Sequence, residues 1–163
     1  MNNYNEKSEK HKFQNDFSQT YEDAFRWKFV YHINIMKRFS DCLGRDKLLE
    51  LIMRAVEENN KRNATANPEH TLSNFAEYGK EAYKNMMTYE VIEESDEVYE
   101  MKVTECLWAK TFRDKNAADI GYATICHGDF TEATAYHQKL KLKRTKTLMQ
   151  GHDCCNHRWT WEG

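Results

Sequence analysis

A chain of 163 residues, with 31% charged residues, one Pro and six Gly, is long enough for one domain with a real hydrophobic core and excludes fibrous or low-complexity classes. A formal net charge of -2 offers no basic field, which argues against nucleic-acid and membrane-surface partners; no apolar run reaches the 18 residues of a membrane span. The start lacks a signal peptide's apolar core, so the expectation is a soluble, cytoplasmic protein whose five cysteines are free thiols, ligands or nucleophiles.

Residues 1–17 are polar and charged and read as a disordered arm, leaving 18–163 as a single domain. From Thr20 apolar side chains recur at three- and four-residue spacing (Tyr21, Ala24, Phe25, Tyr31, Ile35, Met36, Phe39), predicting a helix. Trp27, Phe29, Val30 and Ile33 lie off that stripe. The helix is thus apolar around much of its girth, which suits a core position or a homodimer seam through residues 19–41. His32 is expected as a packed core histidine.

Gly44 should end this helix, and Leu48, Leu49, Leu51, Ile52, Ala55 and Val56 predict a second. Asn59 to Pro68 reads as a polar linker, and a third helix is expected from about His70 to Met86. Then the period changes to two. Thr88–Glu94 and Glu97–Thr104 predict strands joined at Ser95-Asp96, with Tyr89, Val91, Tyr99, Met101 and Val103 buried. Periodicity leaves Glu105–Lys115 open between strand and helix. Asn116, three residues before Asp119, predicts the start of a helix that runs to about His127 and is capped by Gly128.

The last 27 residues carry the densest chemistry. Two alternating runs flank Gln150-Gly151, which predicts a β-hairpin. Counting outward from that turn pairs Leu148 with Asp153, Lys146 with Cys155, Arg144 with His157, and Leu142 with Trp159. The apolar members Leu140, Leu142, Leu148, Trp159 and Trp161 should face inward and take Arg144, Lys146, Cys155 and His157 with them. Two cations, a thiol and an imidazole on an apolar face imply counter-ions or a bound anion. The fold expected from all this is α+β, with N-terminal helices packed on an antiparallel sheet of about four strands that ends in a C-terminal hairpin.

Candidate chemistry gathers at Cys106, at Cys126-His127-Asp129, at Arg144/Lys146, and at Asp153, Cys155 and His157. Thiols beside cations and imidazoles are expected to ionise easily, giving a nucleophile or a soft metal ligand. A zinc site, if present, would draw on Cys106, Cys126, His127 and Cys155, although no C-x-x-C pair exists. The same cysteines also fit as small buried hydrophobes. No phosphate-binding glycine loop, His-Glu-x-x-His helix or nucleophile elbow is present. The residues alone support a site for a small, preferably anionic molecule.

Cys106-Leu-Trp108, Cys126-x-x-Asp129 and the closing Arg144-Thr-Lys-Thr-Leu148 with Gly151-His-Asp153-Cys-Cys155-Asn-His-Arg-Trp159 make the chain resemble the L-2-amino-thiazoline-4-carboxylic acid hydrolase-like proteins. More distantly it resembles ligand-binding domains of the 4-vinyl-reductase type. The first resemblance implies a hydrolase that opens a cyclic amidine carboxylate to N-carbamoyl-L-cysteine, with no required cofactor. It implies catalytic roles for Cys126, Asp129 and Cys106. Arg144 and Lys146 would hold the carboxylate, and Cys155, His157 and Asp153 would line the substrate site. The second resemblance implies a small-molecule or metal-binding sensor domain without turnover.

Overall fold

The computed structural model describes residues 20–64 and 69–163; the expected arm at 1–17 and the end of the linker at 65–68 lie outside them. The first helix, α1, spans Tyr21–Leu43. The Thr20 hydroxyl accepts from the Asp23 N–H, and Glu22 and Asp23 place negative charge at the positive end of the helix dipole. Gly44, at φ 82, turns the chain directly into α2 (Arg45–Arg62), which consumes the first part of the expected linker. Phe25 and Ile33 are buried, and Phe25 meets Trp108 edge-on at 5.3 Å. His32 is a correction: it is exposed, with Nδ1 2.8 Å from the Lys28 carbonyl oxygen. Trp27, Tyr31, Ile35, Phe39 and Leu43, each four residues from the next, stay exposed as an apolar ridge on α1.

Helix α3 (Leu72–Tyr83) begins at Thr71, whose hydroxyl accepts from the Asn74 N–H at 3.1 Å, and buries Leu72 and Ala76. Strands β1 (Met87–Glu94) and β2 (Val98–Cys106) follow as an antiparallel pair, with Ser95 closing the turn. Tyr99, Met101 and Val103 are buried as alternation requires; Val91 is not, because β1 is an edge strand.

The stretch left open by periodicity becomes helix α4 (Leu107–Asp114), with Ala109, Thr111 and Phe112 buried. Asn116 does not start a helix. It takes φ 49 and closes the turn after α4, a conformation Asn tolerates well, and the next helix, α5, is the short Ala118–Gly121. A π turn (Tyr122–Cys126) then leads to α6 (Gly128–Tyr136), an element the pattern did not announce. Gly128 therefore opens a helix instead of capping one. A Cβ there would stand 2.7 Å from Val56 Cγ1, so glycine is what lets α6 approach α2. Asn60 bridges the same contact by donating to the Gly128 carbonyl and the Thr131 hydroxyl.

Strand β3 (Leu140–Lys143) pairs with β4 (Cys155–Trp161), and β4 also pairs with β2, giving the sheet order β1-β2-β4-β3. Leu142 faces Trp159, as counted from the sequence. The expected tight hairpin is a wide connection instead, with a 3-10 turn at Leu148–Gln150 and Gly151 at φ 92. Side chains replace the ladder there. Asn156 Oδ1 accepts from the backbone N–H groups of Thr145 and Lys146, and Cys155 Sγ lies 3.2 Å from the Leu148 nitrogen. Lys146 consequently turns outward to an exposed Asp153 at 3.0 Å, and the pairings Lys146–Cys155 and Leu148–Asp153 do not form.

The resulting α+β fold has two hydrophobic clusters. One lies on the sheet beneath α3 and α6 (Leu72, Tyr99, Val103, Leu140, Trp159), and the other joins α1, α2, α4 and α5 (Ile33, Leu48, Phe112, Ile120, Met149). Cys106 and Leu148 touch both. Among the described residues, no helix is long and apolar enough to cross a membrane.

Candidate functional site

The sheet-side cluster is not filled. Between the sheet, α3, the π turn and α6 lies a cavity of about 320 Å³, within the range of small-ligand sites. Its walls are largely aromatic: Phe75, Tyr78 and Tyr83 from α3, Tyr89 and Tyr99 from the first two strands, Trp108 from α4 and Trp159 from β4. The polar end is built by the end of β2 (Cys106), the π turn (Cys126), α6 (Asp129), the residue after β3 (Arg144) and β4 (Cys155 and His157).

Arg144 holds this end. Its side chain is 2% exposed and would be costly to bury alone. Nη1 donates to Asp129 Oδ2 and lies 3.2 Å from His157 Nε2; Nη2 donates to the Cys126 carbonyl oxygen at 2.8 Å. That carbonyl belongs to the π turn, where i→i+5 bonding displaces the backbone from the regular helical path. Phe130 lies beneath the guanidinium at 5.0 Å, and His157 stacks on Trp159 at 5.1 Å. Asp129 Oδ2 is 3.6 Å from His157 Nε2. The Arg144–His157 meeting is the one strand alternation called for.

Arg144 can only donate, so Nε2 is the acceptor in this contact and Nδ1 is the ring nitrogen left to donate; among the described residues Nδ1 has no partner. The Trp108 and Trp159 indole nitrogens are also without partners among the described residues. Three cavity-lining residues thus hold buried nitrogens that none of the described residues satisfies, an unusual concentration in a packed interior.

The thiols differ from expectation. Burial, and then the nearby Asp129 carboxylate, pushes Cys126 well above the usual thiol range. Burial raises Cys106 as well and pushes Cys155 up to about 11. Arg144 is the cation closest at hand, and Asp129 compensates it, so desolvation wins. The thiols are held protonated.

Three sequence candidates do not join the cavity. Lys146 and Asp153 pair at the surface, and His127 Nε2 turns away to Glu57 Oε1 at 2.7 Å. The set Cys106, Cys126, His127 and Cys155 is therefore not assembled as a four-ligand centre. Among the described residues, no group of three or more His, Cys, Asp or Glu side chains has a metal-holding arrangement. Sequence reasoning missed Glu132 and the aromatic wall. Glu132 follows Asp129 by three positions on α6, the spacing that shares a helix face, and it would have been visible had α6 been recognised.

No curated protein sequence matches the chain. Among solved structures, the phenol-responsive sensory domain of the transcription activator PoxR, determined with phenol, is similar at TM-score 0.51 and 15% identity over 80% of this chain and 72% of that one. That likeness extends to the fold. A sequence profile described as L-2-amino-thiazoline-4-carboxylic acid hydrolase matches residues 24–159, nearly the whole described chain and all of the cavity's walls. The chain belongs to the L-2-amino-thiazoline-4-carboxylic acid hydrolase family.

Proposed function

We propose that the protein is a hydrolase of a small cyclic amidine carboxylate, 2-amino-thiazoline-4-carboxylate or a close analogue, and that Asp129 activates the attacking water. The observation that carries this reading is Asp129 itself, a carboxylate opening on a mostly apolar cavity and fixed from behind by Arg144 and His157. Asp129 takes a proton from water as the oxygen bonds to the ring carbon between N and S. The C=N electron pair moves to nitrogen as the oxygen adds. The hydroxyl then becomes the urea carbonyl, its proton passing to that nitrogen, while the C–S bond breaks and the sulfur leaves as a thiol with the proton held by Asp129. One water thus yields one urea and one thiol. Cys106, Cys126 and Cys155 serve as neutral walls, since their raised pKa values oppose a thiolate route. The partnerless indole N–H groups and His157 Nδ1 supply donors for a substrate carboxylate. Arg144 adds to them only through N–H groups that Asp129 and Cys126 do not occupy. The scheme requires no metal. Zinc near one equivalent per chain, by elemental analysis of protein purified without chelator, would replace Asp129 with a metal-bound water.

Steady-state turnover of the thiazoline carboxylate tests the assignment. Asp129→Asn should lose activity about 100-fold or more and Cys126→Ser should keep most of it. Full activity in Asp129→Asn ends this mechanism. Arg144→Ala should weaken both the carboxylate and its neutral amide, because the guanidinium organises Asp129 as well as any ligand.

A second reading, a sensor without turnover, is favoured by the aromatic walls and by the fold shared with a phenol-responsive domain. Tight binding of a small aromatic with no hydrolysis of any cyclic amidine would select it. In either case the α1 ridge of Trp27, Tyr31, Ile35, Phe39 and Leu43 supports self-association as a homodimer.

A further inference from the structure

We propose that the cavity receives the cationic end of its ligand, a protonated amidine or amine, between the Glu132 carboxylate and the aromatic faces of α3 and β2. The inference rests on the cavity being the ligand site and adds the charge that it selects. The cavity's charged side chains are Asp129, Glu132 and Arg144, with His157 beside them. Asp129 and Arg144 answer one another. Glu132 lines the cavity yet is an exposed residue, and it makes no hydrogen bond or ion pair among the described residues. The surrounding protein and the Asp129 charge both disfavour its ionised form. Its charge and that of Asp129 also act on the Tyr83 hydroxyl, which places all three groups at one end. An entering anion would meet two carboxylates and one cation already engaged. A cation would find an unpaired carboxylate and ring faces that attract positive charge, as Tyr99 already attracts the Lys80 ammonium at 5.9 Å.

The placement also serves the chemistry. Asp129 and Glu132 lie on one face of α6, so a group gripped by Glu132 presents its central carbon toward the water beside Asp129. Glu132 is thus a specificity residue, distinct from the proton-accepting Asp129.

Titrations of the full chain with benzamidine, benzamide and benzoate, three probes of one shape and different charge, can be followed through the emission of Trp108 and Trp159. The expected order is benzamidine tightest by about tenfold or more and benzoate weakest. Glu132→Gln, close in size, should erase the benzamidine advantage and leave benzamide unchanged, with an unchanged melting temperature or a higher one. Equal affinities, a preference for benzoate, indifference of benzamidine to Glu132→Gln, or no binding by any probe would each overturn the proposal. Kinetics separate it from the hydrolase reading. Turnover with KM unaffected by Glu132→Gln removes the cation site and leaves the hydrolase; no turnover, with the benzamidine preference lost in the variant, removes the hydrolase and leaves the cation site.

Discussion

The two hydrophobic clusters obey the same packing physics to different ends. Beneath α1 and α2 the interior is closed: a Cβ on Gly121 would lie 2.6 Å from Met149 Sδ and 2.7 Å from Phe112 Cγ. On the sheet side, Gly79 of α3 lines the cavity, and a Cβ there would meet nothing closer than 3.9 Å. The closed side has no titratable member in its buried set. The open side holds the carboxylates, the guanidinium, the imidazole and the partnerless nitrogens. The close-packed half and the cavity half meet at Cys106 and Leu148, which touch both clusters, and at Trp108, Ile125 and Cys126, which pack on the closed side and line the cavity.

The largest effect should come from the open half. Asp129→Asn is expected to cost about 3 kcal/mol of transition-state stabilisation, the 100-fold loss of turnover given above, and to lower the melting temperature as well, because the buried Arg144 loses its counter-ion. Next comes a matched pair of glycine substitutions. Gly121→Ala should destabilise by about 1–3 kcal/mol through overpacking, because Phe112 and Met149 have nowhere to move. Gly79→Ala, the same change within a helix facing open space, should stabilise by up to about 1 kcal/mol. Urea denaturation of the two variants measures both, and the same sign for the pair would dissolve the distinction between the halves.

How much of this was legible depended on whether one letter had one meaning. Period-two alternation placed Leu142 opposite Trp159 and brought Arg144 to His157, because a strand offers two faces and the apolar residues choose between them. Asn116 and Gly128 were misread because each residue type serves two backbone roles: Asn caps helices and also tolerates positive φ, and Gly ends helices and also permits close approach. Helix α6 was hidden since Ala133 is its one fully buried side chain, leaving no apolar stripe, and Glu132 was hidden with it. The thiols were misjudged because a cation's effect depends on whether it is already compensated, which spacing does not tell.

Two smaller effects sharpen the comparison. Glu132 has a raised pKa in the folded chain, so the native state holds its proton to higher pH than the unfolded state does. Stability should fall as pH rises from the ordinary glutamate range through that raised value. Glu132→Gln should flatten this part of the melting-temperature profile; an unchanged profile would mean that Glu132 is not strained. Alkylation by iodoacetamide near neutral pH should mark the exposed Cys42 first and Cys126 and Cys155 far more slowly, with peptide mass spectrometry reading the order. Smallest of all in the folded subunit, Trp27→Lys with Phe39→Lys should leave its melting temperature nearly unchanged; light scattering should show any dimer fall apart.

The position of β4 sets a schedule for folding during synthesis. It lies between β2 and β3, yet it is the last of the described elements to leave the ribosome. Until residue 155 and its successors emerge, the β1–β2 hairpin and β3 have no common partner, and Arg144 has no His157 to meet. A chain that stalls short of β4 therefore exposes an unpaired β2 edge and an uncovered apolar sheet face, the surfaces that drive association of nascent chains. The helical half, whose contacts are all made earlier apart from those of Leu148 and Met149, can form while the chain waits. Completion of the cavity's polar end and closure of the sheet become a single late event.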